Sequence, residues 1–306
     1  MGRFMEQIGR KLPLIIRKSV TEEDGMGLEE IRARVGQSME FCYGNGEVKR
    51  MEKIGKSEME EFLNYLSGYS LYAYEEEIRQ GFFTIEGGHR VGIAGHTSCG
   101  MDGKGNLGQI LSVRDINGVN VRVAHEHKGC ARELVPLLWK DGVLGNTLIL
   151  ARPGVGKTTY LRDCIRILAG SGQNEGMKIC VVDERSEIAA SCQGVPQNDL
   201  GMRTDVLDNC PKSQGMRMVL RSMSPQIIAM DELGGEEDFE MLYQIIYSGS
   251  RILGTVHGDS LLDIVKKPYI QNLLKENMLQ RLVWIQKADN GERTVKVYDE
   301  RLEEVC

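Results

Sequence analysis

The sequence predicts an α/β fold: a parallel central sheet covered by helices, preceded by a smaller α+β unit. Three observations predict it. Residues 147–165 run from an apolar stretch through a glycine-rich turn into an amphipathic helix, TLILARPGVGKTTYLRDCI. Later apolar runs at 178–182, 226–230 and 251–256 alternate with helical stretches, the spacing that produces a parallel sheet. Residues 1–127 instead read as short strands and helices broken by glycine turns, which divides the chain into an N-terminal unit of 1–127 and a second unit of 128–306.

The stretch at 147–165 is a phosphate-binding loop. Thr147 to Leu150 form a buried strand, Arg152-Pro153-Gly154-Val155-Gly156 the loop, and Lys157-Thr158-Thr159 open the helix. Gly154 and Gly156 let successive backbone N–H groups curl into one anion-binding concavity, and the helix N-terminus adds positive partial charge there. Lys157 reaches the β- and γ-phosphates of a nucleotide, and the Thr158 hydroxyl is a Mg²⁺ ligand. The full pattern has Gly four residues before the Gly-Lys pair, where this chain has Ala151. Alanine at positive φ costs roughly 1 kcal/mol or more, so Ala151 is expected at ordinary φ.

Taken in order, residues 1–20 hold a short helix interrupted by Pro13, and 27–34 read as a helix. Met39–Tyr43 and Glu47–Lys49 flank the turn Gly44-Asn45-Gly46 as a hairpin. Ser57 is read as the N-cap of a helix running to Tyr65, and 69–79 as a further helix. Phe82–Ile85 and His89–Ala94 pair across Gly87-Gly88, residues 101–108 form a loop tip, and 111–114 and 120–124 are separate short strands. His125 and His127 lack a visible third metal ligand and read as surface residues. A linker at 128–131 and a helix at 132–139 lead into the phosphate-loop strand. After the loop helix come a surface connection at 170–176, a polar loop at 194–208, helices at 215–223 and 236–247, and a closing hairpin of 282–287 and 294–298 turning at Asp289-Asn290-Gly291.

The totals narrow the function classes. A net charge of −6 gives no global argument for nucleic-acid binding. No apolar run approaches the roughly 18–20 residues that span a bilayer, and the charged N-terminus does not read as a signal peptide. Eight scattered cysteines without a CxxC motif read as reduced thiols of a cytosolic protein rather than as a zinc site.

Parallel sheets carry their functional groups at the carboxyl ends of the strands. Here those ends carry the phosphate loop, Asp183-Glu184, Asp231-Glu232 and Thr255 with His257. Asp231, about 74 residues after Lys157, is placed to hold Mg²⁺. Glu232 is placed to polarise an attacking water, and His257 to sense the γ-phosphate. A GTPase would want Asn-Lys-x-Asp; the nearest match, Gln286-Lys287-Ala288-Asp289, lacks the Asn, so ATP is the expected nucleotide.

Longer runs carry a resemblance. YSLYAYEEEIRQGFFTIEGGHRVGIAG (69–95), RDINGVNVRVA (114–124), ARPGVGKTTYLRD (151–163), VVDERSEIA (181–189), GMRTDVLDNCPKSQGM (201–216), LRSMSPQIIAMDELGG (220–235) and GTVHG (254–258) together resemble the stage III sporulation protein AA family, relatives of the type II and type IV secretion ATPases. The resemblance implies an N-terminal domain joined to a RecA-like P-loop NTPase domain, and a hexameric ring that hydrolyses ATP with Mg²⁺. It implies a place in the mother-cell cytoplasm at the forespore membrane, powering a secretion-like channel and anchored by a small membrane protein of the same sporulation operon. VVDERSE and GTVHG stand where the acidic and histidine boxes of secretion ATPases fall, so Glu184 and His257 inherit those roles. Secretion ATPases resemble one another in bringing arginines to the phosphates from the N-terminal domain, completing the site across an interface. Arg114, Arg122 and Arg203 are the candidates, and Arg203 is the one assigned a catalytic role. Two other readings are a nucleotide-dependent single-strand nucleic-acid binder, disfavoured by the acidic charge and by a chain ending soon after the hairpin, and a passive ATP-binding ring, disfavoured by the intact Lys157, Thr158, Asp231 and Glu232.

Overall fold

The computed structural model describes residues 4–101, 107–170, 176–288 and 292–305. The tip of the 101–108 loop, most of the 170–176 connection, the turn Asp289-Asn290-Gly291 and Cys306 lie outside the described residues. The chain divides into two compact units, Met1–His125 and Glu126–Cys306.

The first unit opens with two short helices, α1 (Phe4–Gln7) and α2 (Leu14–Arg17), and builds a six-stranded sheet. Its strands are β1 (Leu28–Arg34), β2 (Ser38–Tyr43), β3 (Val48–Lys53), β4 (Phe82–Ile85), β5 (His89–Met101) and β6 (Leu107–Arg122), in the order β3-β2-β1-β6-β5-β4. Helices α3 (Lys56–Leu66) and α4 (Glu75–Arg79) complete it. Met39, Phe41, Phe62, Phe83, Val91 and Val121 are among its core side chains.

Three elements differ from the sequence expectation. The helix expected at 27–34 is strand β1. Its pairing with β2 slips between Leu28 and Glu30, a bulge that adds one residue to β1. The extra residue puts the buried Leu28 and Ile31 three apart, which imitates a helical period. The two strands expected at 111–114 and 120–124 are parts of the one long β6, paired to β5 with an irregularity between Ala94 and His96. Asp115 sits there at φ 46°, and a Cβ on Gly95 would meet the Arg114 carbonyl oxygen at 2.5 Å, so the bulge is tied to a glycine. Helix α3 starts two residues earlier than expected: its N-cap is Gly55, not Ser57, and the Gly55 N–H donates to the Glu58 carboxylate at 2.7 Å.

In the second unit a short helix α5 (Leu134–Leu137) and a two-residue hairpin, β7 (Trp139–Lys140) and β8 (Val143–Leu144), precede the main sheet. That sheet contains β9 (Thr147–Ala151), β10 (Ile179–Asp183), β11 (Thr204–Asp208), β12 (Ile227–Glu232), β13 (Arg251–His257), β14 (Arg281–Lys287) and β15 (Arg293–Tyr298). Their order is β11-β10-β12-β13-β9-β14-β15, parallel except for the last pair. Helices α6 (Lys157–Leu168), α7 (Lys212–Ser222), α8 (Glu236–Tyr247), α9 (Leu261–Val265) and α10 (Pro268–Lys275) supply the covering layers.

Alternation along β9 shows how both faces are buried. Ile149 and Ala151 join one core with Leu161, Ile165, Val181 and Leu253. Leu148 and Leu150 join another with Val182, Met230, Leu242 and Ile252. The polar stretch expected as a loop at 194–208 ends in edge strand β11, whose residues are at most half-buried and so carry no strong apolar signal.

Candidate active site

The phosphate loop grows from the central strand β9. Ala151 closes that strand, wholly buried, and lies beside His257 in the register with β13. It is absent from the positive-φ residues, as expected, while Gly154 (φ 76°) and Gly156 (φ 115°) take the left-handed conformations that curl the loop. Nothing lies within 4 Å of a Cβ built on Gly154, so that glycine is required by conformation and not by space. Arg293, from β15, donates its Nε–H to the Val155 carbonyl at 2.8 Å and latches the loop. No motif marks this arginine in the sequence. At the loop's start, Arg152 and Asp259 form an exposed pair at 3.4 Å, of the kind that contributes little.

One side of the site is a chain of three charged or polar groups. Lys157 is buried, and its Nζ donates to the Ala151 carbonyl at 3.1 Å and to His257 Nδ1 at 2.5 Å. His257 Nε2 lies 2.7 Å from the Glu232 carboxylate. The tautomer that satisfies both neighbours carries its proton on Nε2, donating to Glu232 and accepting from Lys157 at Nδ1. Burial pulls the Lys157 ammonium below the ordinary lysine range, against the opposing fields of Glu232 and Glu187. A phosphate brought to this ammonium would replace a neutral carbonyl and an imidazole with an anion, a stronger partner.

The other side is an acidic cluster. Asp183, at the end of β10 and fully buried, accepts the N–H groups of Glu187, Ile188 and Ala189 at 2.8–2.9 Å. Burial nevertheless raises its carboxyl to about 6, with Asp231 and Asp208 adding to the rise. Arg162 of α6 clamps the same turn by donating to the Glu187 and Ile188 carbonyls. Asp183 therefore shapes the turn, and its neighbour Glu184 faces the site. Lys212, the first residue of α7, binds Glu184 at 2.6 Å and lies 3.0 Å from Asp231 Oδ1. Burial pulls Lys212 down, but the Glu184 and Asp231 carboxylates outweigh it and hold the ammonium above its usual range. Burial raises the Asp231 carboxyl.

Asp231 and Glu232 are consecutive, yet they serve different sides. β12 pairs with β13 through Met230 with Gly254 and Glu232 with Thr255, so one residue more is spent on β12 than on β13. Asp231 is the extra residue of this bulge, a device that re-aims side chains.

These residues suit Mg²⁺. Asp231 Oδ1 is buried, and its neighbour among the described residues is the Lys212 ammonium at 3.0 Å. Among the described residues there is no cluster of three or more acidic, histidine or cysteine side chains suited to a metal. The Asp231 carboxylate and the Thr158 hydroxyl would hold such an ion, with water and substrate phosphates as its other ligands.

The structure brings together Gly154, Gly156, Lys157, Thr158, Asp231, Glu232, His257 and Glu184, with Pro153, Val155 and Thr159 in the same loop and helix. It does not bring Arg203 to them. The Arg203 carbonyl accepts from Ile179 N–H at the start of β10, and its guanidinium donates to the Gly176 carbonyl. The site lies at the other end of that strand, roughly 13 Å away at ~3.3 Å per residue. The loop after the acidic box returns along the sheet before β11 begins, so within one subunit Arg203 lies at the far end of β10 from Asp183. Arg114 and Arg122 lie on β6 of the first unit, and His125 uses its Nε2 on the Leu28 carbonyl at 2.8 Å. Arg293 is a neighbour of the site that no sequence pattern marked, and Lys212 lies in the 201–216 run of the resemblance without having been singled out there.

A model of the family described as "Sporulation stage III, protein AA" matches residues 3–305. The chain belongs to this family. Stage III sporulation protein AA of Bacillus subtilis (strain 168) is 36% identical over 300 residues, covering 96% of this chain and 95% of that one. Among solved structures, this family member is similar to the Legionella pneumophila ATPase DotB, with a TM-score of 0.61 at 13% identity over 94% of this chain and 81% of that one. It is similar to the pilus retraction motor PilT, solved with ADP, with a TM-score of 0.62 at 14% identity over 94% of this chain and 82% of that one. At such identities the likeness is one of fold: this family member shares the α/β architecture of DotB and PilT. Among its described residues no helix is long and apolar enough to cross a membrane.

Proposed function

We propose that this protein is a Mg²⁺-dependent ATPase of sporulation that works as a ring, six subunits being the expected count. The observation that carries the proposal is the Lys157–His257–Glu232 chain at the mouth of a phosphate loop, with Asp231 set beside it on the same strand end. Gly154 and Gly156 turn backbone N–H groups toward the phosphates, and Lys157 moves from Ala151 and His257 to the β- and γ-phosphates. Thr158 and Asp231 would hold Mg²⁺, which when bound would offset the charge of the phosphates. Glu232 polarises the attacking water, and His257, bonded to both Glu232 and Lys157, couples the γ-phosphate to that base. Glu184 holds Lys212 on the far side of Asp231.

The family membership and the fold shared with DotB and PilT support the motor reading. They support residence in the mother-cell cytoplasm beside the membrane, docking to a small membrane-anchored protein of the same operon, and the powering of a secretion-like channel into the forespore. Residues 1–127 would serve as the N-terminal domain and 128–306 as the ATPase domain. The test is ATP hydrolysis against protein concentration. Turnover per subunit should rise as the ring assembles and vanish in Glu232→Gln. Flat turnover that the substitution leaves unchanged would sink the proposal.

A further inference from the structure

Lys212 is the buried cation of the acidic side of the site, only 8% exposed. It is the first residue of α7, and it contacts two carboxylates from different strand ends, Glu184 at 2.6 Å and Asp231 at 3.0 Å. Glu187 adds negative field at Asp231. No position in the phosphate loop, acidic box or histidine box includes Lys212, and the separation of 28 residues from Glu184 gives no local reason for the contact.

We propose that Lys212 is a positioning residue that acts as a tethered cation, competing with the divalent ion for Asp231. The proposal rests on the ATPase reading above. A buried carboxylate left without a cation is costly, and breaking a buried pair by removing one partner is far worse than removing both. Lys212 thus gives the buried Asp231 carboxylate a cationic partner at 3.0 Å while no ion is bound. When an ion binds at Asp231, two cations would face one carboxylate, so the ammonium withdraws toward Glu184, its nearer partner. This gives the acidic box a defined role, with Glu184 as the resting place of Lys212. The metal affinity of the site is then set by how readily Lys212 gives up Asp231.

The test uses the full chain without nucleotide, melted in EDTA and in millimolar Mn²⁺, as Lys212→Met, Lys212→Arg and the double variant Lys212→Met/Asp231→Asn. Lys212→Met should melt roughly 6–20 °C lower than wild type in EDTA, the span expected for an orphaned buried charge. Mn²⁺ alone should recover most of that loss by binding the folded state. Wild type and Lys212→Arg should respond little to Mn²⁺. The double variant should melt near wild type in EDTA and ignore Mn²⁺, the signature of coupling between the two positions. Equal melting of the single and double variants in EDTA, or a Mn²⁺ response in Lys212→Met no larger than in wild type, would overturn the proposal. If Lys212→Met does not fold, recovery of folding in the double variant supports the proposal and failure of both overturns it. Binding of a fluorescent ATP analogue by wild type and its loss in Lys157→Ala are measured alongside. Absence of that binding condemns the ATPase reading, whereas the melting cycle reports on Lys212 alone.

Discussion

Glu232→Gln separates stability from chemistry more sharply than any other substitution in this site. The side chain is 43% exposed and its partner His257 37% exposed, with 2.7 Å between Oε2 and Nε2. A neutral imidazole donating to a carboxylate this open to solvent is worth no more than an exposed ion pair, about 0.2–1 kcal/mol. Glutamine keeps a carbonyl oxygen that still accepts from His257 Nε2–H, so the loss sits at the lower end of that range. At roughly 2–4 °C per kcal/mol for a unit of this size, the melting temperature should move by less than about 4 °C. The chemical loss is of another order. Removing a positioned general base typically costs about 10²–10⁴ in rate. ATP binding should survive, because the glycine loop and Lys157 are untouched. The assay is a coupled ATPase measurement with parallel titration of a fluorescent ATP analogue and a thermal melt. Turnover within a few-fold of wild type would remove Glu232 from the base role. A melting loss above about 10 °C would show that Glu232 holds the fold, contrary to its exposure.

Three other outcomes are expected. Lys157→Ala should weaken binding of the ATP analogue by roughly 10–150-fold, the worth of a charge-assisted hydrogen bond of about 1.5–3 kcal/mol, read by fluorescence titration. Arg203→Ala should leave the affinity for the analogue unchanged, because its guanidinium is committed to Gly176 at the opposite end of the strand; a tenfold loss would put it back in the site. His89 is buried, accepts the Ala124 N–H at 3.0 Å and leaves Nε2 without a hydrogen bond, and burial lowers its pKa from 6.5 to about 4. A depressed folded value means its contribution is complete above the unfolded pKa of 6.5 and fades as pH falls through about 4. The first unit should therefore lose about 3 kcal/mol in acid that His89→Gln does not lose, seen as faster amide exchange in β5 and β6 with α6 as the internal reference.

What could be read from the sequence follows from how far apart the cooperating residues lie in the chain. The phosphate loop was legible because strand, glycines, Lys157 and helix are contiguous. Asp231, Glu232 and His257 were legible because parallel strands place their ends together, so an apolar run followed by a polar residue is enough to locate each one. Lys212 and Arg293 were not, since each reaches the site from an element whose own sequence carries no nucleotide signal. Arg203 follows the acidic box in sequence, but the chain crosses back along the sheet before β11 starts, so within one subunit it stands apart from the other candidates. Strand β1 failed because its bulge spaced Leu28 and Ile31 like residues on a helix.

The Asp231-Glu232 doublet shows why a motif alone is an incomplete description of this site. In a regular strand, consecutive side chains point to opposite faces of the sheet, and one of the two acids would face a helix layer. Here the bulge at Asp231 breaks the alternation at the carboxyl end of β12. Asp231 meets Lys212 while Glu232 meets His257, so two carboxylates of similar intrinsic strength enter separate networks. One is buried beside a lysine and suited to a metal; the other is half-exposed beside a histidine and suited to water. A Cβ on Gly254, the residue opposite Met230 in the register, would stand 2.9 Å from Met230 Sδ and 3.2 Å from Leu233 Cδ1. The glycine of GTVHG therefore has a packing role distinct from that of the histidine three residues later: it leaves room for the Met230 and Leu233 side chains on either side of the Asp231-Glu232 doublet.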